Sequence, residues 1–216
     1  MGHLEESGHG LDSASVGAAV AVEDKLNWST HWTLVKYDED IDALVEDSMP
    51  FWAKGPMRNM PRAKARAAEI REQFQNELEP AEVIEWDGNM LVNCGINELL
   101  QLLIGAAAVA YANATSSLGV GDSNAAAAAG QTDMQAALNK VYVASAAAYP
   151  TVAGQTVTFQ SSFGAAVGTW AWEECGAFNA AAPVPPGDIM LNRVVQSLGT
   201  KAAAATWVLS LAITIS

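Results

Sequence analysis

The stretch TWVLSLAITI, residues 206–215, sets Trp207, Leu209, Leu211, Ile213 and Ile215 at every second position, with Val208, Ser210, Ala212 and Thr214 between them. Strict alternation over ten residues has one regular solution, a strand that buries one face. The same period recurs upstream. QTVTFQSSF (155–163) places Val157, Phe159 and Phe163 on one face, with Ser161 as a gap. TWAWEECGAF (169–178) places Trp170, Trp172 and Phe178 on one face, and DIMLNRVVQSL (188–198) reads as the strand before the last. Turn signals separate these runs at Ala153-Gly154, Gly164, Gly168, Pro183 to Gly187 and Gly199-Thr200-Lys201. Short strands divided by regular turns predict an antiparallel β-sandwich or barrel. One short amphipathic helix, INELLQLLI (96–104), interrupts the β pattern, with Ile96, Leu99, Leu100 and Leu103 on one side.

Charge divides the chain unevenly. Residues 1–87 hold 18 acids and 8 bases, whereas residues 88–216 hold 6 acids and 3 bases. We therefore expect a boundary at the turn-forming Asp87-Gly88, with an extended N-terminal arm (1–87) in front of a β-sandwich domain (88–216). Within the arm, Trp32, Leu34 and Val35 suggest a short strand. Residues near 61–79 suggest a helix, with Pro61 at its start and Pro80 just past its end. Ala63, Ala67, Ile70, Phe74 and Leu78 form its one apolar stripe, which is too narrow to hold the helix without a partner surface. Trp28, Trp32, Phe51 and Trp52 have no dense local core pattern around them and are expected at subunit contacts.

The bland segment LGVGDSNAAAAAGQTDM (118–134) begins as a strand at Leu118 and Val120, turns at GDSN and continues through five alanines. Two readings stay open: a surface loop, or a subunit contact in which Gly119, Gly121, Ala127 and Gly130 let backbones approach closely.

Several function classes are disfavoured. A net charge of −13 opposes a nucleic-acid partner, because phosphate binding needs clustered Lys and Arg. The N-terminus MGHLEESGHG does not read as a secretory signal, and INELLQLLIGAAAVAYA (96–112) carries Glu98 and Gln101 and is too rich in Ala for a spanning helix. No membrane partner is expected, and synthesis in a cytoplasm is. Cys94 and Cys175 read as buried thiols, with a disulfide not suggested. His3, His9 and His31 match no standard metal spacing. Glu173 and Glu174 point to opposite faces of a strand, so they cannot act as an acid–base pair. GVGDSN lacks the further Gly and the Lys of a phosphate loop, and Asp122 with Asn124 is only a fragment of a calcium loop. No cofactor, metal or catalytic residue is expected. A carbohydrate platform on Trp170 and Trp172 is set against their burial, which the strand pattern favours.

The order of motifs in residues 88–216 resembles a β-structured domain of tailed-bacteriophage virion proteins. It runs GNMLVNCGINELLQLLIGA, LGVGDSNAAAAAGQTDM, YPTVAGQTVTFQSSFG, WAWEECGAFNA, MLNRVVQSLGTK and TWVLSLAITIS. Two positions depart from that pattern: Val194 where a second basic residue is expected, and Cys175 where Trp or Phe is expected before the Gly. The resemblance implies a non-enzymatic structural protein of the virion, assembled in the host cytoplasm. We expect a capsid decoration (cement) protein, held by its arm on the major capsid protein as a homo-oligomer, a trimer in the first reading. The alternative is a tail or fibre component that attaches to the host, and a virion hydrolase is a distant third.

Overall fold

The structure, a computed structural model, describes residues 27–180 and 189–216. Ten strands form two antiparallel five-stranded sheets. The first sheet has the order β2(Glu82–Asp87), β1(Trp28–Tyr37), β10(Thr206–Ile215), β7(Thr156–Phe163), β6(Thr151–Ala153). The second has the order β3(Met90–Leu91), β9(Met190–Thr200), β8(Ala171–Phe178), β4(Ser117–Gly121), β5(Lys140–Ala144). The fold is the mainly-β antiparallel sandwich that the alternation predicted.

The main core lies between the sheets. From the first sheet come Trp32, Leu34, Phe159, Phe163, Trp207, Leu209, Leu211 and Ile213. From the second come Leu118, Val120, Trp172, Cys175, Ala177, Leu191 and Leu198. Trp172 sits at the centre, edge-on to Phe163 and Trp207 at 4.8 Å from each, and its indole N–H donates to the Gly168 carbonyl at 2.8 Å. The face expected in TWAWEECGAF is only partly correct. The pairing of β8 with β9 slips between Trp172 and Glu174, so Cys175 and Ala177 take over the inward positions. Phe178 then turns to the outer side and joins Val92, Met134 and Met190 in a separate cluster. Such irregular pairing breaks the strict alternation of side chains and so reverses their parity beyond it.

Two strands of the segment expected as an arm, β1 and β2, belong to the first sheet. Along its whole length β1 pairs with β10, from Trp28↔Ile215 to Tyr37↔Thr206, and on its other side it pairs with β2. Residues 1–26 of the expected arm lie outside the described residues. The strand β2, EVIEWD, is an edge strand, where outward acids discourage pairing with other sheets.

Two helices account for the remaining front residues. α1(Ile41–Ser48) is capped by the Asp40 carboxylate, which accepts from the Ala43 N–H at 3.0 Å. α2(Pro61–Glu77) starts at its proline as expected. The predicted stripe finds its partner surface: Ala63, Ala67, Ile70, Phe74 and Leu78 pack with Ile41 and Val45 of α1, with Met49 just past its end, and with Val35, Tyr37 and Val208 on the outer face of the first sheet. A third helix, α3(Asn93–Leu103), lies against β9.

Candidate functional site: two exposed apolar surfaces

Every deeply buried ionic group of the described residues serves the fold. Arg193 and Glu174 are fully buried and form an ion pair, Nε to Oε2, at 2.6 Å. Glu174 also accepts from the backbone N–H groups of Gln135 (3.0 Å) and Ala136 (2.7 Å). Arg193 donates from Nη1 to Gln131 Oε1 (3.1 Å) and from Nη2 to the Ala125 carbonyl (2.9 Å). Gln131 in turn accepts from the Ala128 N–H and donates to the Ala126 carbonyl. The alanine loop is thus stitched down through its backbone, and its small side chains leave those amides and carbonyls within reach. A buried pair of charges holds only when its remaining donors and acceptors are satisfied, as they are here.

Other polar groups have similar roles. Glu98 accepts from the Val109 N–H and the Asn179 side chain, each at 2.8 Å. Lys201, buried, donates to the Gly164 carbonyl at 2.7 Å, and burial lowers its pKa. Burial first, and then the Asp133 carboxylate that accepts from its hydroxyl, push the Tyr142 phenol well above its ordinary range. Burial likewise raises the Cys175 thiol, and both cysteines are free. Glu173 and Glu174 diverge as expected: Glu173 meets Ser197 at the surface, and Glu174 points inward. A cleft of about 620 Å³ opens beside α2, lined by Ala144 to Tyr149, Gln160 and Ser162, and its Arg71 is already paired with Asp42 at 2.5 Å. Among the described residues no three His, Cys, Asp or Glu side chains gather as a metal site, and no helix is long and apolar enough to cross a membrane.

The structure separates the residues expected at subunit contacts. Trp32 is fully buried in its own chain, stacked on Trp86 at 5.9 Å, and half-buried Trp28 packs on the same core. Gly119 and Gly121 are interior too. A Cβ on Gly119 would lie 2.8 Å from the Tyr142 ring, and one on Gly121 would lie 2.5 Å from Glu174 Oε1. Their smallness admits aromatic and carboxylate groups of the same chain, so these two glycines are not available to a neighbour. Ala127 is half-buried and Gly130 exposed on the stitched loop.

Phe51 and Trp52 are exposed, Phe51 by 95%. They occupy a short 3-10 turn between α1 and α2, beside a second such turn, Gly55–Asn59. Arg62 stacks over the Trp52 ring at 4.3 Å, and Met57 and Met60, each half exposed, extend the surface. Sequence reading missed the two methionines, although the run MRNMPRAKAR carries an unusual density of base and Met. The second surface is α3. Its predicted apolar face exists, but only Leu99 packs on the main core, while Ile96, Leu100, Leu103 and Ile104 face outward, Leu103 by 81%. Val109 continues that surface. An apolar helix face left open in this way is what a partner would cover.

Compared with known proteins, the chain matches no family model, no curated protein and no solved structure.

Proposed function

We propose that this chain is a non-enzymatic structural component of a tailed-phage virion, a capsid decoration protein that sits on the major capsid protein. The observation that carries the reading is a division of labour among side chains. The buried ionic groups Glu174, Arg193, Lys201 and Glu98 are consumed in fixing loops and sheets, while large apolar residues gather on two outward surfaces. Catalysis needs titratable groups aimed at a cleft, and assembly needs apolar surface with a polar rim. The motif order in residues 88–216 supports the phage origin. Quantitative protein analysis of purified particles tests the assignment. A decoration protein is present in copies comparable to the major capsid protein. A few copies per particle would favour the tail or fibre reading, and absence from particles would overturn both.

A further inference from the structure

Residues 38–47 hold six acids and no base, and residues 54–66 hold five bases and no acid. The two blocks adjoin in space. α1 packs on α2, and Lys54 Nζ donates to the Asp47 carbonyl at 3.1 Å. Despite this, no carboxylate of the described residues pairs with Lys54, Arg58, Arg62 or Lys64, and Arg66 reaches only Glu69 within its own helix. The other described bases are engaged: Lys36 with Glu82, Arg71 with Asp42, Lys140 with Asp133, Arg193 with Glu174, and Lys201 against a carbonyl. Among the described residues the bases with no carboxylate partner therefore fall in one stretch of chain, a ledge that runs from Lys54 through the first turn of α2. Along the chain the exposed Phe51 and Trp52 stand between them and the acidic block, in the turn that follows α1.

We propose that this surface is the contact between two copies of the chain, related by a two-fold axis passing near Phe51. In an isologous contact residue i meets j and j meets i, so a surface ordered acid, apolar, base is complementary to itself when turned by half a revolution. The acidic block of each copy then faces the ledge of the other, and Phe51 and Trp52 of both are buried at the centre. Aromatic residues, Met and Arg are the types enriched at the cores of protein contacts. The six neighbouring acids disfavour a nucleic acid or an anionic membrane as the occupant, since they would repel either polyanion. The pairing is in twos, unlike the trimer expected from the sequence, and it does not depend on the virion reading.

Sedimentation equilibrium of the full chain tests the proposal, at about 50 mM and about 500 mM salt so that screening differs strongly. Wild type sediments as a dimer at low salt and dissociates more readily at high salt. Arg58→Glu with Arg62→Glu sets acid against acid and weakens association by at least about a hundredfold. Adding Glu46→Lys and Asp47→Lys to that variant restores the dimer. Phe51→Ser, at a position too exposed to affect folding, weakens it at both salt concentrations. A monomer at low salt, a trimer, or a dimer that neither Phe51→Ser nor the double reversal changes would overturn the proposal. In the last case the α3 face becomes the contact.

Discussion

Replacing Arg193 by Met retains the length and apolar stem of the side chain and removes its charge. Arg193 lies at 0% exposure with Glu174 also at 0%, and it makes bonds to Glu174, Gln131 and the Ala125 carbonyl at 2.6, 3.1 and 2.9 Å. The substitution leaves a buried carboxylate without its counter-charge, a situation that costs about 3–5 kcal/mol. For a chain of this size each kcal/mol moves the melting temperature by roughly 2–4 °C, so a fall of about 6–20 °C is expected in a thermal melt at pH 7. The effect has an address as well as a size. Loop 122–136 loses its anchors at Ala125 and Gln131, so amide exchange quickens there more than in β10. Pairing Arg193→Met with Glu174→Gln costs less than the sum of the single changes, because the orphaned charge is gone. A single variant that melts within about 1 °C of wild type would refute the reasoning, since a mid-sized protein cannot hide a lost buried ion pair in so small a shift.

Three further outcomes follow from the geometry. Gly119→Ala pushes a methyl against Tyr142 and costs about 1–3 kcal/mol, whereas Gly130→Ala, with open space at its Cβ, changes the denaturant midpoint little. Deleting residues 1–60 removes β1 from between β2 and β10 and leaves a chain without sheet signal in circular dichroism. The Asp87 hydrogen bond raises the His31 pKa above 6.5 in the folded state, so the pairing is fully present below pH 6.5 and is lost as pH rises through the raised value; the gain is small because His31 is largely exposed, and His31→Gln removes that slope from stability measured against pH.

The sandwich was legible where strands have one buried and one open face. In β10 the inward residues Trp207, Leu209, Leu211 and Ile213 alternate with less apolar ones, and the pattern names its own core. In β8 both faces are buried beyond Trp172 and irregular pairing changes the parity, so the same rule misplaced Phe178. The role of β1 was not legible, because its partner β10 lies about 180 residues away and no local pattern encodes such pairing. The helix α2 was legible from its prolines and its stripe, yet the surface it covers could not be known until β1 and β10 met. Among the expected contact residues, Phe51 and Trp52 stay exposed, while Trp32, Gly119 and Gly121 are spent inside the chain. Composition marks a small residue as allowing close approach, but it cannot say whether the approaching group comes from the same chain or another. The alanine run shows the same limit: its purpose is set by Arg193, more than sixty residues downstream, which holds the Ala125 carbonyl.

Antibody labelling of intact particles in the electron microscope tests the central claim most directly. The account predicts label distributed over the whole shell, at the density of a protein that sits on the capsid lattice. Particles that carry no label, with the protein recovered only from the soluble fraction, would contradict it.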